Sequence, residues 1–405
     1  MRVLMTTYPG PSFYYPIVSL GWALRAAGHE VLVATQPAFA PKVTGTGLPA
    51  VGLGPDVDVA AMFRQGFDAK LRATTRLPAS WPGTVTGLRD AGLLPGVLRG
   101  LDHFRDVAEV LADDLVAFGR SWRPDLVVHE PTAVGGPLLA RVLGIPSVRH
   151  VWGPDFFHWM DELAGDRLAP LARRFGVDDL RAAGDLTVDP CPTAMRAPGS
   201  GPAQAVRCVP YNGPGVVPDW LREPPSRSRV LLTWGTWIRD NALTHLFRVP
   251  EILRALREHD AEVLVTAGAA ERELLGEVPD NVRLIDPTPL HLVLPTCDAI
   301  VHQGGTGTVM TAATHGLPQL AVPQVPDQLF NAERMAAAGV GHYLPTAEAS
   351  ADAVAERFAA VVGDPALRER AVRTAAEIAA QPPLAQVCEV LERLANSERA
   401  QGALS

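Results

Sequence analysis

The residues best suited to chemistry lie between His302 and Asn331, where the chain reads His-Gln-Gly-Gly-Thr-Gly-Thr and later, from Pro323, Pro-Gln-Val-Pro-Asp-Gln-Leu-Phe-Asn. The apolar run Ala299-Ile300-Val301 reads as the end of a buried strand. Gly304, Gly305 and Gly307 cannot sustain a strand, so the chain must turn there. Thr308 to His315 then reads as a helix stopped by Gly316 and Pro318. A glycine-rich turn between strand and helix lets backbone N–H groups approach an anion, and the helix N-terminus favours negative charge. The spacing therefore points to a phosphate site built from Gly304, Gly305, Thr306, Gly307 and Thr308, with the His302 imidazole at its edge. It is not a Walker loop, since no Gly-Lys-Ser/Thr follows. Nor is it a dinucleotide fingerprint beside a domain's first strand. Gln319 to Val322 reads as the next strand and leads toward Asp327 and Gln328. In a doubly wound sheet both segments would face one crevice outside the strands' carboxyl ends.

The elements that must position these residues alternate along the chain. Arg2 to Thr7, Glu30 to Thr35, Asp125 to His129 and Pro146 to Val151 read as strands, with helices over Ile17 to Ala27 and Gly136 to Leu143. Residues 55 to 120 read as helical but interrupted by Pro78, Pro82 and Pro95. From 185 to 225 prolines and glycines make regular structure unexpected. A second series follows: Val230 to Thr233, Ala261 to Thr266, Val282 to Ile285, Ala299 to Val301 and Gln319 to Val322, then terminal helices over Ala351 to Val362, Pro365 to Ala380 and Pro383 to Asn396. The chain is thus expected to form two parallel α/β domains, over 1–205 and 227–405, joined by a Pro/Gly-rich linker over 206–226 and enclosing a cleft.

Composition narrows the partners. With 405 residues, 47% of them hydrophobic and 20% charged, the chain has the make-up of an ordinary globular protein. A net charge of −8 gives no electrostatic reason to expect nucleic acid or an anionic membrane. Cys191, Cys208, Cys297 and Cys388 are scattered without metal-ligand spacing, which suits a reducing compartment. The opening Met1 to Thr6 is too short an apolar run for a signal peptide, and no stretch offers about twenty apolar residues for a membrane span. The expected location is the cytoplasm. A homodimer is left open.

The His302-to-Asn331 segment resembles the donor-binding signature of family-1 glycosyltransferases with the GT-B fold, in which two Rossmann-like parallel-sheet domains face each other across a deep cleft and a C-terminal helix packs back toward the N-terminal domain. Leu24 to Val31 (Leu-Arg-Ala-Ala-Gly-His-Glu-Val), Val209 to Pro218 and Leu290 to Pro295 are similar to the bacterial antibiotic and macrolide branch. The resemblance implies inverting transfer of a sugar from a nucleotide diphosphate, dTDP-deoxyhexose favoured over UDP-sugar, to a small hydrophobic natural product such as a polyketide-type aglycone. It implies no metal and no other cofactor. Fixed donors must then stabilise the charge that grows on the departing diphosphate. The amides of Gly304 to Thr308, the Thr306 and Thr308 hydroxyls and His302 are suited to this, with Gly235 and Thr236 reaching in from a neighbouring strand end. By the same resemblance Asp327 and Gln328 bind sugar hydroxyls, and Asn331 and Glu333 line the donor pocket. Where the family often carries an aromatic residue on the nucleobase this chain has Pro287, so base contacts fall to backbone around Thr288. Simpler readings stay open: His302 as a satisfied strand-end histidine, Asp327 as a helix cap, Gly235-Thr236 as a turn.

The chain departs from the family at the catalytic base. The usual histidine of the first strand-to-helix turn falls on Phe13, and no histidine occurs between Met1 and Gly28. Ser12 beside it is a poor base unless activated. Three explanations remain. The base has moved, to Glu130 at a strand's carboxyl end where desolvation would raise its pKa, or to Asp155, His129 or His158. Alternatively the acceptor is acidic enough to need little help, or the chain is a glycosyltransferase-like nucleotide-sugar-binding or accessory protein without transfer activity. Phe13, Tyr14, Trp81, Trp152 and Phe156 are suited to an apolar acceptor pocket, with core packing as the competing role.

Overall fold

The computed structural model describes residues 1–64, 77–235 and 244–402. Among the described residues the first domain holds seven parallel strands: β1 Arg2–Thr6, β2 Glu30–Thr35, β3 Ala50–Gly52, β4 Leu126–His129, β5 Ser147–His150, β6 Leu186–Asp189 and β7 Gln204–Ala205. Their spatial order is β3-β2-β1-β4-β5-β6-β7. Thr6 pairs with Ala34 of β2 on one side and His129 of β4 on the other. The second domain holds β8 Arg229–Thr233, β9 Glu262–Thr266, β10 Val282–Ile285, β11 Ala299–His302, β12 Gln319–Ala321 and β13 Gly341–Tyr343, in the order β10-β9-β8-β11-β12-β13. Strand order reverses between β1 and β4, and again between β8 and β11. Chains leaving these pairs diverge to opposite faces and open a crevice, the place where doubly wound sheets bind ligands.

The central strands are apolar on both faces because helices cover both sides of each sheet. Val3, Met5, Leu126 and Val128 pack with Ile17, Val18 and Leu24 of the helix Pro11–Ala26. Across the other face of the sheet, Leu4 and Val127 meet Leu115 and Val116 of the long helix Leu94–Trp122. In the second domain Val230, Leu232, Val263, Val265 and Val301 pack against Ile252, Leu253, Val354 and Phe358.

The structure differs from the sequence reading at several elements. The first helix begins at Pro11 rather than Ile17, since proline at a helix start loses no needed N–H and arrives with helical φ. Ser12, Phe13 and Tyr14 therefore lie on its first turn. Pro95 likewise opens the 29-residue helix Leu94–Trp122 instead of interrupting it. Strands β6 and β7 occupy part of the segment expected to be irregular, where Pro190 ends a strand rather than preventing one.

The domains are tied together at several levels. The last helix, Leu384–Gly402, returns to the first domain, where Val387, Cys388 and Leu391 enter its core. Glu392 Oε1 lies 2.9 Å from His29 Nε2. Cys191 and Met195 of the first domain pack with Val309, Met310 and Met335 of the second. Among the described residues no helix is long and apolar enough to cross a membrane. Because Leu391 is fully buried in the first domain's core, Leu391→Ala should cost about 2–5 kcal/mol, read as an earlier urea midpoint. An unchanged midpoint would show that the returning helix does not support that domain.

Candidate functional site

The turn after β11 is held from beneath. The His302 ring is fully buried, and Gly304 N–H donates to its Nδ1 at 2.9 Å. Nδ1 must therefore be unprotonated, so Nε2 carries the hydrogen and donates to Gln319 Oε1 at 3.0 Å. Burial pushes the ring's pKa down to about 4, keeping it neutral. Both ring nitrogens are thus engaged inside the protein, and the imidazole shapes the turn instead of pointing at the crevice. Gly304 has φ +95, and an added Cβ would lie 2.7 Å from the Gln328 carbonyl oxygen. No other residue fits there without moving the chain. Buried Asn331 Nδ2 donates to Gly304 O at 3.0 Å and to Thr306 Oγ1 at 2.9 Å.

The helix Thr306–Thr314 starts immediately beyond, with Gly305 as its N-cap. The Thr308 amide already donates to Gly305 O at 3.0 Å, so it is not free for a ligand. The amides of Thr306 and Gly307 have no acceptor within the helix by position, and Gly307 is exposed. Gly235, with φ +65, follows β8 and comes so close that a Cβ would lie 2.5 Å from Gln303 Nε2. The two loops at the β8/β11 switch point thus meet. Thr236 lies outside the described residues.

Other donor-side residues take definite places. Asp327 sits in the first turn of the helix Pro326–Ala337, half-buried. Burial pushes its carboxyl up to about 6, against the pull of its own amide and that of Gln328. Gln328 Oε1 accepts from Gln324 N–H at 2.9 Å. Pro287 is exposed just past β10, and Thr288 Oγ1 donates to Asp286 O at 2.8 Å. Asn212 of the linker is pinned to this domain: its Nδ2 donates to Thr311 Oγ1 at 3.0 Å, and its Oδ1 accepts His291 N–H at 3.1 Å.

At the first domain's switch point, Glu130 follows β4 and is fully enclosed. Its oxygens accept from Tyr8 N–H at 2.8 Å, Thr132 N–H at 2.7 Å and the Thr132 hydroxyl at 2.8 Å. Burial pushes its carboxyl up to about 7 despite these donors. The reading of Glu130 as a base open to the cleft needs correction, because the carboxylate instead anchors the loop after β1. Asp155 is likewise engaged, paired with Arg149 at 2.7 Å and accepting Phe157 N–H at 3.1 Å, both within the protein. Ser12 is exposed, and among the described residues no hydrogen bond joins its hydroxyl to a base. His129 is buried with Nδ1 on the Glu130 carbonyl, while His158 contacts the carbonyls of Asp155 and Gly83.

The aromatic residues divide. Tyr14 is corrected to a core residue: it is fully buried, its hydroxyl lies 2.8 Å from Thr46 Oγ1, and its ring meets Phe39 edge-on. Successive helix positions point about 100° apart, so Phe13 faces another way. Its ring lies 4.5 Å from Tyr8 and 5.3 Å from Trp152. Phe156 bridges Trp81 at 5.5 Å and Phe330 of the second domain at 5.6 Å, while Trp81 N–H donates to Glu333 Oε1 at 3.0 Å. Sequence reasoning did not single out Tyr8, His103 and Phe104, which pack together beside Phe13. Tyr8's place two residues beyond a strand at the switch point was a usable signal; the inward-facing register of His103 on a 29-residue helix was not.

Comparison with known proteins places the chain in a family. Residues 22–235 match the Erythromycin biosynthesis protein CIII-like N-terminal domain, and residues 250–394 its C-terminal domain. The chain is 39% identical to the aklavinone 7-beta-L-rhodosaminyltransferase of Streptomyces galilaeus, over 99% of this chain and 97% of that one. It is 37% identical to the 3-alpha-mycarosylerythronolide B desosaminyl transferase of Saccharopolyspora erythraea, over 98% and 99% respectively. The crystal structure of glycosyltransferase VinC in complex with dTDP superposes with a TM-score of 0.82 at 32% identity, covering 98% of this chain and 100% of that one. The fold and its relatives define a GT-B glycosyltransferase. Within that class the chain belongs to the erythromycin biosynthesis protein CIII-like family of bacterial antibiotic glycosyltransferases.

The Glu130 geometry carries a pH signature. A carboxyl raised from 4.5 to about 7 on folding binds its proton more tightly in the folded state. Its ionisation then destabilises the fold as pH rises through that window, by about 3 kcal/mol at most. Glu130→Gln removes this contribution. Relative to wild type the variant should gain stability between pH 5 and pH 8, measured by paired urea titrations. Parallel pH profiles would sink the assignment.

Proposed function

We propose that the chain transfers a deoxysugar from a dTDP-activated donor to a polyketide-type hydroxyl acceptor, with inversion at the anomeric carbon and without a metal. The observation that carries this is the turn after β11. There the amides at the start of Thr306–Thr314 point out of a loop braced by His302, Asn331 and Gly304, and the loop after β8 closes beside it. Preorganised amides and a helix N-terminus can stabilise the diphosphate leaving group where a metal would otherwise serve. The family's transferases named above act on aklavinone and on a mycarosylerythronolide, and VinC was solved with dTDP. These support the donor and acceptor classes.

In this reading Asp327 and the amide group of Gln328 take the sugar hydroxyls, and backbone around Pro287 and Thr288 flanks the base. Phe13, Trp152 and Phe156 supply an apolar wall for the acceptor, the role Tyr14 cannot fill. The aromatic chain from Trp81 through Phe156 to Phe330 would hold the domains close enough to exclude water and limit donor hydrolysis.

The test is incubation with dTDP- and UDP-sugars and an aglycone panel, following coupled product and its anomeric configuration by NMR. Product of inverted configuration, formed equally well with EDTA present and faster from dTDP-sugars, is expected. Retention of configuration, or loss of turnover with EDTA, would sink the proposal. Gly304→Ala should weaken dTDP binding about tenfold or more by calorimetry. The new Cβ must displace a turn whose strain alone costs about 1–3 kcal/mol, and tenfold is about 1.4 kcal/mol.

A further inference from the structure

Among the described residues the first domain shows no open base where the resemblance implies one, yet its switch point holds a pair of proton-handling groups that nothing above uses. Tyr8 Oη lies 2.9 Å from His103 Nε2, although the residues are 95 positions apart. Tyr8 sits two residues beyond β1, and its backbone is fixed by Glu130. Its ring stacks obliquely on Phe13 at 4.5 Å and meets Phe104 edge-on at 5.8 Å. A cavity of about 40 Å³ reaches Tyr8 and is also lined by Thr6, Thr7, Phe104, Val107 and Thr132. Phe13, whose ring touches Tyr8, also meets Trp152 at 5.3 Å, which sets Tyr8 against the acceptor wall proposed above.

We propose that Tyr8 and His103 together replace the missing turn histidine, Tyr8 touching the acceptor and His103 acting through it. This rests on the transfer reaction proposed above. As the acceptor oxygen bonds to the anomeric carbon, its proton passes to Tyr8 Oη while the Tyr8 proton passes to His103 Nε2. The bond from that carbon to the diphosphate breaks, and the diphosphate keeps the electron pair. His103 later returns its proton to solvent. No co-reactant is required.

The surroundings suit a relay. Burial, helped by the nearby Glu130 and Asp58 carboxylates, pushes the Tyr8 pKa up and keeps it protonated at rest. His103 faces Asp106 on its own helix and the rings of Phe63 and Phe104. Burial lowers its pKa to about 4, so the ring rests neutral with a nitrogen able to accept. The acceptor hydroxyl becomes strongly acidic only as its oxygen bonds to carbon, so even a weakly basic ring can take the proton at that moment. Phe13 cannot, and its ring instead closes one side of the Tyr8 phenol.

The experiment compares wild type with Tyr8→Phe and His103→Gln, using a dTDP-sugar and aglycones whose hydroxyls range from alcohol to phenol. Tyr8→Phe keeps the ring against Phe13 and removes only the hydroxyl. Each variant should lose about 100-fold or more in kcat on an alcohol, with a smaller loss as the acceptor becomes more acidic and with dTDP binding unchanged. That dependence on acceptor pKa is something a merely structural role would not produce. Near wild-type kcat in both variants, or an equal loss on every acceptor, overturns the pair while leaving the transfer reaction standing. A wild-type protein that binds dTDP-sugar but couples it to no acceptor overturns both.

Discussion

Backbone amides can receive an anion only if the chain that carries them is kept from bonding to itself, and here that constraint is met from underneath. A buried imidazole accepts Gly304 N–H, and a buried amide binds Gly304 O and Thr306 Oγ1. The arrangement needs a neutral ring, because a protonated Nδ1 would repel the amide it now accepts. Burial supplies that neutrality by pushing the His302 pKa down to about 4. Positive charge at this site therefore comes from the helix N-terminus and its amides, not from the histidine. A fixed array of dipoles needs no reorganisation when charge develops in front of it, which is what such a site requires.

The first domain repeats the device with a different side chain. Glu130, beyond β4, accepts Tyr8 N–H and so braces the loop after β1, much as His302 braces the loop it begins. In both domains a buried polar residue at or just beyond the end of a central strand fixes a turn at the point where strand order reverses. Facing loops are useful only if the domains keep their spacing. The returning helix Leu384–Gly402, the Met310–Met195 contacts and the Phe156–Phe330 pair all act against drift between them.

Much of the fold could be read from the chain because its central strands are short apolar runs ended by turn residues. Glu30–Thr35, Val282–Ile285 and the helix Pro365–Ala380 fall where the pattern places them. Peripheral strands were harder to see. β6 and β7 lie among prolines, and β3 and β13 are three residues each, too short for periodicity to show. The glycines of the turn after β11 were legible because φ +95 at Gly304 leaves almost no other residue type available. What could not be read was direction. His302 and Glu130 occupy the expected strand ends, but whether a polar side chain faces a crevice or its own loop depends on partners distant in sequence. Gln319 and Tyr8 are those partners.

Phe13 illustrates the same limit from the other side. Read along the chain, it falls where the family resemblance implies a histidine. In space its ring is packed among Tyr8, Phe104 and Trp152, and phenylalanine satisfies that apolar setting without a buried polar atom to pair. An imidazole in the same place would be desolvated on several sides and would need a partner to stay useful as a base. Tyr8 and His103, both buried beside it, already share a hydrogen bond, and the relay proposed above would use that pair. On that proposal, proton handling would belong to the loop after β1 taken together with the helix that covers it, rather than to any single position in the first turn.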